Sequence, residues 1–305
     1  MARVRLRRAR PSDLAGCAAV FAESSADLAR RQGQIPAPPD PRVIALRLGH
    51  LLGTDPAGFH VAVRGPRVVA FASTILRERV HFLSMAWALP EVQSGGLGRA
   101  LVGRAFEQPG APAGAARCVY ASLDLRAQRL YLDLGMVPRT LIYVLGGAPH
   151  RLPPAPAERL ELVPLGAPGH PSREALACAA AFDRTVRGCR RDADHRFELA
   201  QPGARLFAAR HRGRRVGYVS MDGAGSIGPG AVTNERFAAP LAWAALAKAR
   251  EAGIERVRMR IPGLNGAALS VAFAAGLGVQ LIGAWMSDRP VGRLEGYLGT
   301  FGDLF

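Results

Sequence analysis

Lysine is almost absent. Of the 40 basic residues in the 305-residue chain, all but Lys248 are arginine, against 24 acidic residues, for a formal net charge of +16. With alanine, glycine and proline so abundant, part of this reads as a coding bias toward arginine. A basic surface still favours anionic ligands, among them nucleotides with several phosphates. Cysteine is scarce too: Cys17, Cys118, Cys178 and Cys189 lie far apart with no CxxC spacing, which argues against a disulfide framework or a metal site. Cys17 and Cys178 fall in alanine-rich helical patterns, where a buried thiol acts as a small hydrophobe. Aromatic residues make up only 7%. There is no zinc-finger, basic-zipper or aromatic-rich RNA-binding pattern, and the arginines are scattered, so nucleic acid is not expected as a partner. The basic stretch from Arg3 to Arg10 has no apolar core after it, so no secretory signal is expected. One uncharged run, 267–286, is long enough to span a bilayer, but Gly276, Gly278, Gln280 and Gly283 interrupt it. A helix, a glycine turn and a buried strand account for it better, and a cytoplasmic protein without membrane contact is expected.

What is present is enough apolar material, 49% of residues, for one large or two moderate cores. The chain also resembles itself. Gly65-Pro66-Arg67-Val68-Val69-Ala70-Phe71-Ala72-Ser73 is matched by Gly213-Arg214-Arg215-Val216-Gly217-Tyr218-Val219-Ser220. Both read as a hairpin turn leading into an apolar strand, each preceded by another strand, at 59–63 and 205–209. Further along each half a helix runs into a glycine turn, at Gly135 and at Gly276. Between the halves, Pro149, Pro153, Pro154 and Pro156 give linker composition. The expectation is a tandem duplication: a first domain over 1–147, a linker over 148–159 and a second domain over 160–305.

Within the first half, strands are expected at 4–8, 59–63, 68–76, 81–88, 118–123 and 140–145. Helices are expected from a Ser12 or Asp13 cap, over 42–52, 98–106 and 127–134, with a proline-rich loop at 31–42. Hairpins combined with one strand–helix–strand crossover make the fold α/β, with a mixed, mostly antiparallel sheet flanked by helices.

The chemistry concentrates in Ala86-Trp87-Ala88-Leu89-Pro90-Glu91-Val92-Gln93-Ser94-Gly95-Gly96-Leu97-Gly98-Arg99. A buried strand ends at Pro90, a short turn follows, and a helix begins among the glycines. That geometry leaves the first N–H groups of the helix without partners and aims its positive end at the turn. Glycine lets a phosphate approach the backbone, so the turn is an anion site suited to a pyrophosphate.

Gln93-Ser94-Gly95-Gly96-Leu97-Gly98 resembles the Gln/Arg-x-x-Gly-x-Gly/Ala signature of the GCN5-related N-acetyltransferase (GNAT) family, and Pro90 matches the proline that precedes it. Leu130-Tyr131-Leu132-Asp133-Leu134-Gly135 resembles the family's downstream Tyr motif. The resemblance implies two tandem GNAT-like domains and acetyl-CoA as co-substrate, with no metal. In such a fold the backbone of Ala86 and Ala88, beside Trp87, would line pantetheine, and Gln93, Ser94, Gly95, Gly96, Leu97, Gly98 and Arg99 would hold pyrophosphate. Asp124 stands where the family often has Asn, and cannot donate the amide hydrogen bond. The resemblance further implies direct attack of a neutral amine on the thioester, with Tyr131 as general acid for the leaving thiolate. No base is assigned; Glu78 and His81 read as strand-edge residues.

The second half lacks the signature: Thr233-Asn234-Glu235 follows its strand at 226–232, so it resembles a degenerate copy. Asp183, Asp192, Asp194 and His195 either reach the acceptor site or are solvated. The implied activity is transfer of acetyl from acetyl-CoA to a primary amine of a small molecule or peptide, by a monomer or homodimer. The alternative is a non-catalytic acetyl-CoA sensor.

Overall fold

Gly65, with φ +59°, and Gly213, with φ +76°, close two β-hairpins where the sequence repeats itself. Left-handed backbone of this kind is open to glycine without Cβ strain. Around the hairpins the computed structural model, which describes residues 4–36, 40–93, 95–302 and 304, forms two compact units. The first comprises Met1–Val119 and Asp124–Met136, the second Tyr120–Leu123 and Val137–Phe305.

The first unit runs β1 (Val4–Arg8), α1 (Leu14–Arg31), α2 (Pro41–Thr54), β2 (Phe59–Arg64), β3 (Arg67–Arg77), β4 (Val80–Ala88), α3 (Leu97–Phe106), β5 (Ala116–Ala121) and α4 (Leu125–Asp133). Its strands lie in the order β1-β2-β3-β4-β5. All neighbours are antiparallel except β4 and β5, which are parallel. Asp40 caps α2 by accepting from Arg42 N at 2.8 Å, with Pro41 as the first helical residue. Helix α1 sits close on β3: a Cβ on Gly16 would lie 2.9 Å from the Val68 side chain. Cys17, Leu48, Phe59, Val61, Phe71, Phe82 and Val102 are buried in this core, each large side chain contributing about 1.5–3 kcal/mol. Of the expected 31–42 loop, Pro38 and Pro39 lie outside the described residues.

The second unit runs β6 (Val137–Gly147), β7 (Glu161–Pro164), α5 (Arg173–Val186), α6 (Asp192–Leu199), β8 (Arg205–His211), β9 (Arg214–Met221), β10 (Ser226–Val232), α7 (Ala238–Glu251), β11 (Val257–Pro262), α8 (Gly266–Ala274), β12 (Gly278–Ser287) and β13 (Tyr297–Leu298). The strand order is β12-β6-β11-β10-β9-β8-β7, with β13 beside β10. Again one pair, β10 and β11, is parallel. Both units are thus mixed, mostly antiparallel α/β layers, as expected. Strand β6, the last of the first sequence half, pairs antiparallel with both β11 and β12. The uncharged run resolves into α8, a turn at Gly276 with φ +91°, and β12. Among the described residues no helix is long and apolar enough to cross a membrane.

Candidate active site

Strand β4 is held on both edges for only part of its length. Its pairing with β3 runs from Arg77/Val80 to Ala70/Ala88, whereas its parallel pairing with β5 covers only Val80 to Leu83. Beyond Leu83, in residues 84–88, no described strand occupies the far edge. Main-chain groups there are not taken up by a parallel strand and find other partners. Ala86, Trp87 and Ala88 lie on this stretch and are half-buried. The Ala88 carbonyl is already engaged: it accepts from Ser24 Oγ at 2.9 Å and from Gln93 Nε2 at 2.7 Å.

The strand then turns through a short 3-10 segment, Pro90–Val92, into α3. Gly96 is the N-cap of α3, in left-handed conformation with φ +76°, and no side chain caps the helix. A Cβ added to Gly95 or Gly96 would meet nothing within 4 Å, and one on Gly98 would come only within 3.7 Å of Leu130. Open space beside uncapped first-turn N–H groups, at the positive end of a helix, fits a phosphate. Ser94 lies outside the described residues. Leu97 and Gly98 are half-buried and Arg99 is exposed, paired with Asp133 of α4. Asp133 also accepts from Arg129 Nε at 2.8 Å.

Gln93 does not point into the glycine turn. While its amide nitrogen reaches back to β4, its Oε1 accepts from Arg126 Nη1 at 2.7 Å. Arg126 in turn donates Nη2 to Asp124 Oδ2 at 2.7 Å. Asp124 is the N-cap of α4, accepting from Arg126 N at 2.9 Å, and is approached by Arg31 Nη1 at 3.4 Å. An acid here therefore has local work: it caps a helix, complements its dipole and anchors two arginines. Arg31, Ser24 and Arg126 escaped sequence reasoning. The Asp124–Arg126 spacing hints at a cap, but the Gln93–Arg126 bond spans 33 residues and has no local signature.

Tyr131, on α4, is buried, and burial, seconded by Asp124, pushes its phenol up to about 12. Trp87 packs edge-on against Phe21 of α1, with centroids 4.9 Å apart. His81 is not a strand-edge surface residue but lies in the core at 2% exposure. Its Nε2–H donates to Thr74 Oγ at 3.0 Å, because that hydroxyl spends its own proton on Ala105 O at 2.7 Å. Burial lowers its imidazole to about 4, so it is neutral at physiological pH. Glu78 sits in the exposed β3–β4 turn with φ +49°.

In the second unit Asp183, Asp194 and His195 are buried rather than solvated; only Asp192 is half-exposed, paired with Arg190. Asp183 accepts from His195 Nε2 at 2.7 Å, from Arg191 Nε at 3.1 Å and from the Tyr218 hydroxyl. Burial opposes its ionisation, but Arg191, His195 and these hydrogen bonds outweigh it and hold the carboxyl at about 2. Among the described residues no group of His, Cys, Asp and Glu is arranged to hold a metal ion.

A sheet whose parallel strand loses one neighbour, followed at once by a glycine turn feeding an uncapped helix, makes an α/β domain with room for an anion at the start of α3. Residues 24–136 match the profile of the acetyltransferase (GNAT) family. The likeness to that family thus covers somewhat over a third of the chain, all of it within the first sequence half. None of the curated proteins matches the sequence. Among solved structures, a candidate acetyltransferase from Pyrococcus horikoshii is 17% identical with a TM-score of 0.71, covering 96% of this chain and 94% of its own. A GCN5-related N-acetyltransferase from Sphaerobacter thermophilus is 20% identical, TM-score 0.61, covering 96% and 98%. A tandem GNAT protein from the clavulanic acid biosynthesis pathway is 18% identical, TM-score 0.56, covering 94% and 99%. At these identities the likeness is one of fold.

Proposed function

We propose that the chain is an acetyl-CoA-dependent N-acetyltransferase acting on a primary amine of a small molecule or peptide, with its one donor site in the first half. The observation that carries this is the open edge of β4 over 84–88 leading directly to the left-handed Gly96 and the uncapped start of α3. Acetyl-CoA, when bound, supplies the acyl group as a thioester. Backbone groups of Ala86 and Ala88 would line its pantetheine arm. The N–H groups from Gly95 through Arg99 would hold the pyrophosphate, with Gly95, Gly96 and Gly98 leaving it room. Trp87, braced by Phe21, would bound the pocket on the α1 side. A backbone N–H on the free edge of β4 would serve as the oxyanion donor; such a donor is typically worth about 3–4 kcal/mol.

Tyr131 would hold the proton for the departing sulfur, and its burial keeps that proton in place. Gln93, Arg126 and Asp124 would fix the turn rather than touch the donor. By descent the halves remain 1–147 and 160–305, joined by 148–159, with the second a degenerate copy, although β6 is folded into the second unit.

Titration calorimetry of the full chain with acetyl-CoA tests this. Binding that is abolished by Gly96→Val, in a variant whose circular dichroism shows it still folded although strained at φ +76°, supports the assignment. No heat of binding at millimolar acetyl-CoA sinks it.

A further inference from the structure

The two units treat their single parallel strand pair differently. In the first, β4 and β5 pair over Val80–Leu83 and the edge of β4 beyond is left without a described strand. In the second, β10 and β11 pair only at Ser226–Arg258 and Ile227–Met259, and the space beyond is filled. Strand β13 enters it: Leu298 pairs with Gly230 and Tyr297 with Ala231 on one side. On the other, Gly299 N donates to Arg260 O of β11 at 2.7 Å.

The fit is close at the backbone level. A Cβ on Gly228 of β10 would lie 2.2 Å from Gly299 O, and one on Gly296 would lie 2.1 Å from Val232 O. Glycine on both sides is what lets the segment enter. Asn265, the N-cap of α8, accepts from Ala268 N and donates Nδ2 to Tyr297 O at 3.0 Å. Tyr297, Leu298 and Leu304 are at most 1% exposed. Further on, the Thr300 hydroxyl donates to Glu198, and the buried Arg191 donates Nη1 to Leu304 O at 2.8 Å. The charged cluster of Asp183, Arg191, His195 and Glu198 therefore lies against this segment and clamps it.

We propose that the splayed strand pair of the second unit is a socket whose permanent occupant is the chain's own segment Tyr297–Thr300, which makes this half a closed module that takes no acyl-CoA. The contrast with an open, donor-binding first half rests on the function proposed above; the seating of the segment does not. The absence of a glycine turn after β10 agrees: Asn234 and Glu235 form a capped 3-10 turn there instead. The segment supplies the main-chain pairing that an unfilled splay would lack.

Hydrogen exchange on the full chain tests the seating without any ligand. The amides of Leu298 and Gly299 are expected to exchange at least about a hundredfold more slowly than an unstructured chain, as β10 does, and saturating acetyl-CoA should leave them unchanged. Calorimetry should give one acetyl-CoA per chain, all of it lost in Gly96→Val. Gly228→Val, which blocks the socket at Gly299, should release the segment to fast exchange. Should that variant fail to fold, Thr300→Val is expected to raise exchange at Leu298 and Gly299 severalfold. Fast exchange of the segment in the unaltered chain, its release by acetyl-CoA, or a second binding event surviving Gly96→Val would overturn the proposal. A protected segment with no acetyl-CoA binding at all would overturn the function of the first half and leave the socket standing.

Discussion

At Tyr131, burial keeps the phenol protonated and at the same time makes it a weaker acid. A phenol needed as a proton donor must keep its proton through the working pH range, and burial raises this one to about 12. Tyr131→Phe removes the hydroxyl and little volume. It is expected to lower kcat about a hundredfold, within the usual range for a lost general acid, and to leave acetyl-CoA affinity within twofold. Steady-state rates and calorimetry on the same preparation check it; unchanged kcat would favour the sensor reading.

His81 behaves oppositely. Its ordinary value near 6.5 falls to about 4 because burial disfavours the cation. Between these values the unfolded chain takes up a proton that the folded chain refuses. Its contribution to stability is present above pH 6.5 and is lost as pH falls through 4, about 3 kcal/mol in all. His81→Gln should flatten that part of the thermal stability profile between pH 6.5 and 4. An activity profile in which the variant loses a base titrating near neutrality would contradict the core position assigned to this ring. In the sequence His81 looked like an edge residue because its alternation with Phe82 and Leu83 is ambiguous. Strand β4 is buried on both faces over residues 80–83, and the period-2 pattern carries no information there.

At the scale of elements, most of the first half was legible. The hairpin turns, the capped helices and the glycine turn are written in local chemistry, and their positions hold to within a few residues. What is not local was not legible. The pairing of β6 with β11 and β12 joins residues more than a hundred positions apart, and no alternation of apolar residues says which strand a neighbour will be. The same holds for the strap that ties Gln93 through Arg126 to the Asp124 cap. This strap ties the residue before the glycine turn to the first turn of α4, and under the proposed function it would act on donor binding by preorganisation. Arg126→Ala is expected to raise KM for acetyl-CoA about three- to tenfold and to change kcat less than twofold. Because Arg126 is exposed, the variant's melting temperature should move little. A large loss of kcat with KM unchanged would place Arg126 at the reacting centre instead.

For the whole molecule, the second unit buries a charged cluster, Asp183, Arg187, Arg191, Asp194 and Glu198, of which the chain's formal net charge of +16 gives no warning. Asp183 is the one carboxylate there that accepts from Arg191, His195 and Tyr218 together. Replacing it by Asn keeps the shape but leaves the Arg191 cation without that countercharge, a change that costs about 3–5 kcal/mol when a buried pair is broken. Acid should reproduce part of this. With the folded carboxyl at about 2 and the ordinary value at 3.8, Asp183 contributes its stability above pH 4 and loses it as pH falls toward 2, about 2–3 kcal/mol. Growing positive charge destabilises the chain over the same range, but it does so in the variant as well, so the difference between the two isolates Asp183. Thermal unfolding of the parent chain and Asp183→Asn should therefore show a wide gap at pH 7 that narrows between pH 4 and 2. A gap of constant width would mean that the loss at pH 7 comes from altered packing, and that the charge of Asp183 does not hold α5, α6 and the segment after Gly296 together.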